Sequence, residues 1–287
     1  MTLVLVKNDY RLLRCSACAL LHVNPMPSAD ALQAHYQNPA YFQGEEDQGY
    51  RNYEDMRKAL RPHFERRLRL VERRRPARGR LLDFGCADGY FLEIAQTRGW
   101  EIAGVELSRT MAQQASRTLQ IPIPPSLEGV DQQFDVITAW EVVEHLPDPV
   151  EQLRQFLAHL RPGGLLMLST PNNNHWQAER EPDAWIAYRP PSHLIYFTPP
   201  TLTNAFQRAG FVDIRIQRVM PLPPLPAWLR QATVPLQRGL ANGQARAWTL
   251  SLLAWRAVRV LGWGWQKITR PDDDIFTTLE ALAARPE

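Results

Sequence analysis

The stretch Leu81-Leu82-Asp83-Phe84-Gly85-Cys86-Ala87-Asp88-Gly89-Tyr90 decides the fold. Its first half is a short apolar strand, its middle a turn of small residues, and Tyr90 opens a helix. Gly85 and Gly89 let the backbone approach a ligand, and the N–H groups that open the helix face an anion there. Glu106 ends the next strand, 21 residues after Gly85. A carboxylate at that place can accept both ribose hydroxyls of an adenosine-type cofactor. The glycines are spaced Gly85-x-x-x-Gly89, which is not the dinucleotide spacing. The plain alternative is an ordinary tight strand–helix turn, and Glu106 weighs against it.

Outward from this turn the periods alternate. Arg80–Phe84, Glu101–Val105, Phe134–Ala139 and Leu165–Ser169 read as strands, and Tyr90–Arg98, Arg109–Leu119 and Val150–Leu160 as helices between them. Thr201–Ala209 is a further helix, closed by Gly210, with strand Val212–Gln217 behind it. Strands separated by helices of this length imply right-handed crossovers and a parallel sheet covered on both faces.

Composition narrows the class. The 287 residues are 45% hydrophobic and 22% charged, enough for a buried core, with a net charge of +3 from 33 basic and 30 acidic side chains. Three cysteines, Cys15, Cys18 and Cys86, are too few for a disulfide scaffold. No signal-peptide pattern and no uncharged apolar run long enough to span a bilayer is visible. Secreted scaffold, fibre and polytopic membrane protein are excluded, and a reduced, cytoplasmic α/β protein is expected.

The chain divides into four parts. Residues 1–56 form an N-terminal segment with Cys15-Ser-Ala-Cys18, half of a zinc knuckle. With His22 it offers three ligands, one short of a closed structural site, so zinc at Cys15/Cys18 is not expected. Residues 57–218 hold the core. Its first stretch, 57–80, carries eleven Arg or Lys, with Leu60, Phe64, Leu68 and Val71 as one apolar stripe on a basic helix. Residues 219–263 read as a Trp- and Arg-rich helical insertion or lid, and 264–287 as a possible last strand and tail. From 214 to 271 there is no Asp or Glu but nine Arg or Lys, and five of the nine tryptophans. That composition suits a helix in a membrane interface or a lid over a greasy, anionic acceptor, and equally a helical pair packed on the sheet edge.

The segments LLDFGCADGYFLE, GVELS, FDVITAWEVVEHLPDP and LRPGGLLMLSTPN together resemble the class I S-adenosylmethionine-dependent methyltransferases over residues 78–218. Within that class the chain is most similar to the bacterial ubiquinone-type O-methyltransferases and the methyltransferases of sugar or surface-glycan pathways. The resemblance implies a doubly wound, Rossmann-like, seven-stranded, mostly parallel sheet of order 3-2-1-4-5-7-6. Val212–Gln217 would be strand six and Gly264–Thr269 an antiparallel strand seven. It also implies that Asp83 and the backbone of Gly85, Cys86, Ala87 and Gly89 hold the methionine end of S-adenosylmethionine. Glu106 would hold the ribose, Leu107 and Leu127 the adenine, and Trp140 would wall the transfer site. Ala87 departs from the glycine of many members. Cys86 is read from its place in the turn as a small packing residue.

Methyl transfer to a hydroxyl is an in-line displacement that needs alignment and a route for the acceptor proton. Glu141-Val-Val-Glu144-His145 would put Glu141, Glu144 and His145 on one helix face. The segment resembles the metal motif of ubiquinone-type and small-RNA 2′-O-methyltransferases, with His193 as a further ligand. Mg²⁺ or another divalent ion on Glu141, Glu144, His145 and His193 is one expectation. His193 as a substrate-facing base without metal is another, with His145 and Glu141 as further catalytic candidates, and a structural Glu144–His145 pair is a third. The acceptor expected is a small molecule, a sugar, phenol, quinol or lipid-linked intermediate, with O-methylation and peripheral attachment to the inner membrane face. An RNA methyltransferase is the alternative, supported by the basic helix but by no separate RNA-binding module, so nucleic acid is the less favoured partner. A non-catalytic scaffold is the second.

Overall fold

In the computed structural model the described residues are 1–38, 53–220 and 264–287, with 257 and 260–262. The insertion read at 219–263 therefore lies almost wholly outside them. The N-terminal strands are β1 (Thr2–Lys7), β2 (Tyr10–Arg14) and β3 (Leu21–Asn24), followed by helix α1 (Ala29–Gln37), whose N-cap Ser28 accepts the Ala31 N–H. The basic helix α2 spans Tyr53–Arg74. Then come β4 (Arg80–Phe84), α3 (Tyr90–Thr97), β5 (Glu101–Val105), α4 (Arg109–Leu119), β6 (Phe134–Trp140), α5 (Pro149–His159) and β7 (Leu160–Pro171). After α6 (Trp176–Arg180) the chain runs through the two-residue β8 (Ile195–Tyr196), α7 (Pro199–Ala209), β9 (Val212–Val219) and β10 (Thr278–Ala284).

The main sheet has six strands in the order β5-β4-β6-β7-β10-β9. β4, β5, β6 and β7 pair in parallel, and β10 runs antiparallel to both β7 and β9. This is the expected order less its third strand, which corrects the count of seven among the described residues. Residues 121–130 carry Pro122, Pro124 and Pro125, which lack the N–H a ladder requires, so that stretch is a loop. A second correction concerns the last strand. Gly264–Thr269 is helical, and the strand is Thr278–Ala284, where Thr278, Leu279, Glu280 and Ala281 are all buried. A strand buried on both faces shows no two-residue alternation, and its alanines favour helix in isolation.

Two cores flank the sheet. Phe64, Leu68 and Val71 of α2 pack with Leu81, Tyr90, Phe91 and Trp100, so the apolar stripe of the basic helix faces inward. Leu68 is fully buried, worth about 1.5–3 kcal/mol. The polar side of α2 spends much of its charge in ion pairs: Arg57 with Asp88 and Glu93, Arg61 with Glu65, and Arg67 with Glu280, while just past the helix Arg75 pairs with Asp135. On the other face α5 and α7 cover the larger core. β1, β2 and β3 form a second sheet with β8, which ties the N-terminal segment to the loop that carries His193. Cys15 and Cys18 sit in the β2–β3 turn as free thiols.

Candidate active site

The site is built at the C-terminal ends of β4, β5 and β6, the edge where a parallel sheet opens a crevice. The turn after β4 takes left-handed backbone at Gly85 (φ 75°) and Gly89 (φ 82°). A Cβ on Gly85 would stand 2.6 Å from Val142 Cγ2, and one on Gly89 would stand 2.8 Å from Leu119 Cδ1. Ala87 is also left-handed at φ 49°, where an L-residue costs roughly 1–2 kcal/mol. Glu106 braces that conformation. Its Oε2 accepts the Ala87 N–H at 2.9 Å and its Oε1 the Ser108 N–H at 2.8 Å. A carboxylate has about four acceptor sites, so two remain for ligand hydroxyls. Burial pushes its pKa up, and the Ser108 and Ala87 amides oppose this.

Glu106 and Leu107 line a cavity of about 290 Å³ together with Phe84, Gly85, Ala87, Trp140, Glu141 and His145. Leu127 is buried in the main core and does not line it; Pro125 forms that wall instead. Below the turn, a smaller recess of about 100 Å³ is bounded by Asp83, Gly85, Cys86, Asp88, Arg67 and Trp140. Asp83 accepts the Thr138 hydroxyl at 2.6 Å, and burial pushes its carboxyl up to about 7 against the pull of Thr138 and Arg67. Burial likewise pushes the Cys86 thiol up.

The acid–imidazole group differs from its expected form. Glu141 directly follows β6 with φ 54°, and only Val143–His145 makes a single 3₁₀ turn, so Glu141 shares no helix face with Glu144 and His145. A glutamate in left-handed backbone breaks the helix that the spacing implied. Glu141 N–H donates to the Ser169 carbonyl at 3.0 Å, and its carboxylate lies 3.9 Å from Arg67. Arg67 also donates to Glu280 and to the Ser169 hydroxyl, and its guanidinium lies 4.3 Å from the Trp140 ring centre.

His145 and His193 meet edge to face, with ring centres 4.8 Å apart. His145 Nδ1 lies 2.7 Å from the Ser192 carbonyl, which fixes the proton on Nδ1 and leaves the lone pair on Nε2. Burial lowers its pKa to about 4, so the ring is neutral at pH 7. Glu144 is 1% exposed and neither of its oxygens has a hydrogen-bond partner. Burial, helped by the nearby Glu141 charge, pushes its pKa well above the carboxylate range.

Among the described residues Glu144, His145 and His193 are the one group of three metal-capable side chains, with ligand atoms within 4.8 Å of one another. A carboxylate and two imidazoles suit a divalent ion, and the orphaned Glu144 oxygens would welcome one. His193, however, spends both nitrogens: Nδ1 donates to the Ala187 carbonyl at 2.8 Å and Nε2 accepts from Arg189 Nη2 at 3.2 Å. A guanidinium stands where positive charge would enter, and the cluster as built does not fit a metal.

A separate pocket of about 210 Å³ is lined by Glu141, Glu144, Arg189, His193, Trp185 and Thr278, among others. Glu141 thus walls both this pocket and the cavity at Glu106.

Several site residues carried no legible signal. Leu32 and Tyr36 of α1 line the Glu106 cavity, and the Tyr36 hydroxyl lies 2.9 Å from His145 Nδ1. Gln37 donates to the Leu107 carbonyl at 2.8 Å, closing α1 over the cleft. Arg57 grips Asp88 at 2.9 Å, while Asp88 Oδ1 accepts the Tyr90 N–H that opens α3. Asp88, a capping residue type before a helix, was the one of these the sequence could have flagged.

A family model described as a methyltransferase domain matches residues 53–216. The chain is 31% identical over 118 residues to the ubiquinone biosynthesis O-methyltransferase of Coxiella burnetii (strain Dugway 5J108-111), covering 38% of this chain and 50% of that protein. It is 29% identical over 153 residues to the protein of the same name from Idiomarina loihiensis, covering 48% and 63%. The chain therefore spans about half the length of the curated relatives it matches. Among solved structures, a SAM-dependent methyltransferase from Archaeoglobus fulgidus superposes with a TM-score of 0.55 at 19% identity, over 86% of this chain and 100% of that one. Haemonchus contortus phosphoethanolamine N-methyltransferase 2 also superposes at 0.55, with 16% identity over 93% and 62%. These likenesses carry the fold, and the family model, which spans more than half of the sequence, carries the membership. The chain belongs to the methyltransferase domain family.

Proposed function

We propose that the chain transfers a methyl group from S-adenosylmethionine to an oxygen of a small acceptor, a phenol or quinol-like ring being the best fit. Glu106 would hold the ribose, the recess at Asp83 and Gly85 the methionine end, and Leu107 the adenine. When bound there, S-adenosylmethionine supplies an electrophilic methyl group. The observation that carries the reading is the double duty of Glu141, which walls both the cleft at Glu106 and the polar pocket at His193. A cofactor in one and an acceptor in the other would meet across that wall. The curated relatives' printed name, ubiquinone biosynthesis O-methyltransferase, supports oxygen as the methylated atom. His145, neutral at pH 7, lines the Glu106 cavity and offers an imidazole base on that side of Glu141.

The internal pairing of arginines on α2 weighs against a nucleic-acid acceptor. A lipid-linked acceptor met at an anionic membrane surface is supported by the described part of the C-terminal helix. Val260, Leu261, Trp265 and Ile268 are 60–77% exposed there, in a stretch without acidic residues. No helix among the described residues is long and apolar enough to cross a membrane.

Calorimetric titration with S-adenosylmethionine on wild type and Glu106→Ala tests the cofactor. A phenol and catechol screen reading S-adenosylhomocysteine release then tests the acceptor. Absence of binding by folded wild type sinks the enzyme reading. Binding without turnover on any hydroxylated ring, but with turnover on RNA, replaces the acceptor class.

A further inference from the structure

The polar pocket beside Glu141 contains a positive charge of its own. Arg189 lines it with Glu141, Glu144 and His193. Its Nη2 donates to His193 Nε2 at 3.2 Å, and its buried Nε has no hydrogen-bond partner. The loop that carries it is tied in place at both ends. Arg189 N–H donates to the Ala187 carbonyl and His193 N–H to the Arg189 carbonyl, each at 2.9 Å. Leu194 N–H then donates to the Glu144 carbonyl at 2.7 Å. The guanidinium is thus held against the acid–imidazole cluster by the backbone as well as by His193.

Besides the Trp185 indole N–H, two ionisable groups in this pocket lack a hydrogen-bond partner: the Glu144 carboxyl, 1% exposed, and the Arg189 Nε. Buried polar atoms are seldom left unmatched without a ligand to complete them. A ligand that completes both must offer a hydroxyl or a hydrogen-bonding edge to Glu144 and an electron-rich oxygen to Arg189. A metal ion could complete Glu144 but not Arg189, since it would face the guanidinium at short range and would need the His193 lone pair that Arg189 holds. A ring with two hydroxyls meets both, because one oxygen can ionise toward Arg189 while the second hydroxyl bonds to Glu144.

We propose that Arg189 is the cation of this site: it binds the ionised oxygen of a phenolic acceptor, in the place a divalent metal would otherwise take. This rests on the O-methyltransferase reading above and deepens it by naming the charge that receives the acceptor's oxyanion. Arg189 adds no bond-making step. The acceptor loses one proton to a base or to solvent, and the resulting oxygen anion is held by a charge-assisted hydrogen bond.

The test uses Mn²⁺ and 4-nitrophenol as probes, on the full chain saturated with S-adenosylhomocysteine. Electron paramagnetic resonance reads free Mn²⁺, and absorbance reads nitrophenolate. The expected result is that wild type leaves Mn²⁺ free and lowers the ionisation midpoint of bound 4-nitrophenol by about 1–3 pH units. Arg189→Gln loses that shift, and Arg189→Lys keeps part of it. One Mn²⁺ bound per wild-type chain and released by Glu144→Gln would overturn the proposal. So would a nitrophenol midpoint that Arg189→Gln leaves unchanged, or no nitrophenol binding at all. Calorimetry of S-adenosylhomocysteine on the same samples separates the two levels. Its binding by every variant shows that they are folded and confines a failure to Arg189, whereas its absence in wild type removes the enzyme reading itself.

Discussion

Replacing Glu106 by glutamine changes one atom in the brace that holds the left-handed turn. Both carboxylate oxygens accept backbone N–H groups, from Ala87 at 2.9 Å and Ser108 at 2.8 Å. The amide keeps one acceptor oxygen and turns an NH₂ toward the other N–H, so one hydrogen bond to a charged group is lost, worth about 1.5–3 kcal/mol. The surviving bond weakens to a neutral one. Against this, a neutral amide is easier to bury than a carboxylate, and burial already pushes Glu106 upward in pKa. The balance is a destabilisation of about 2 kcal/mol. At roughly 2–3 °C per kcal/mol for a chain of this size, Tm falls by about 4–6 °C.

Cofactor affinity falls further than stability. The two acceptor sites left on the carboxylate would meet two ribose hydroxyls, and the amide loses one of them outright. A loss of about 3 kcal/mol, near 100-fold in Kd, is expected for S-adenosylmethionine and equally for S-adenosylhomocysteine, which share the ribose. Scanning calorimetry and isothermal titration read the two effects separately. Leu107→Ala, at a residue 40% exposed, should weaken binding several-fold with little change in Tm. A Kd for Glu106→Gln within threefold of wild type, beside the expected fall in Tm, would refute the ribose role and leave Glu106 as a brace for the turn alone.

Asp83 is held up to about 7 in the ligand-free protein, so binding a cationic cofactor beside it should ionise it and release a proton. Titrations at pH 6.5 in buffers of different ionisation enthalpy should show that release in wild type and not in Asp83→Asn. His145 ionises near 4 in the folded chain against 6.5 unfolded, so the unfolded state binds the extra proton between those values. Its contribution is complete above pH 6.5 and is lost as pH falls toward 4, by about 1.4 kcal/mol per unit and roughly 3 kcal/mol in all. Urea midpoints of wild type minus His145→Gln across pH 4.5–7.5 check the sign, and a difference that grows toward acid contradicts it. Gly85→Ala sets a Cβ 2.6 Å from Val142 at φ 75° and should cost about 2–4 kcal/mol, read by urea unfolding, with Val142→Ala restoring part of it.

The parallel half of the sheet was legible because each of its strands is short, apolar and followed by an amphipathic helix. β4, β5 and β6 fall where the period changes say, and the turn between β4 and α3 declares itself through Gly85 and Gly89. The missing third strand was half-visible in Ile121-Pro-Ile-Pro-Pro, whose prolines weaken a ladder that the resemblance nevertheless called for. β10 was not legible. Thr-Leu-Glu-Ala-Leu-Ala-Ala has helical composition, and only the empty slot between β7 and β9 makes it a strand. Local propensity yields there to six or seven residues of backbone pairing on each side.

The cofactor side and the acceptor side differ in the same way. Asp83, Gly85, Ala87 and Glu106 lie at or just past the C-terminal ends of two adjacent strands, so their geometry follows from local spacing. His145, His193, Arg189 and Tyr36 come from three separate segments that meet through β3 pairing with β8. Leu21 opposite Tyr196 and His22 opposite Ile195 make that junction, and it spans more than 170 residues of sequence. No periodicity within any one segment encodes it. It explains why an N-terminal hairpin that reads as an appendage instead fixes the loop bearing Arg189 and His193, while α1 sets Tyr36 against His145. Since the pairing is only two residues long, weakening it should loosen the acceptor pocket before the fold. Val23→Pro, which removes the N–H that β3 donates to the Leu194 carbonyl beside β8, should leave the S-adenosylhomocysteine Kd within a few-fold of wild type while raising protease cleavage in the 185–198 loop. Equal loss of both would mean that the two sheets unfold as one unit and that the acceptor side has no stability of its own.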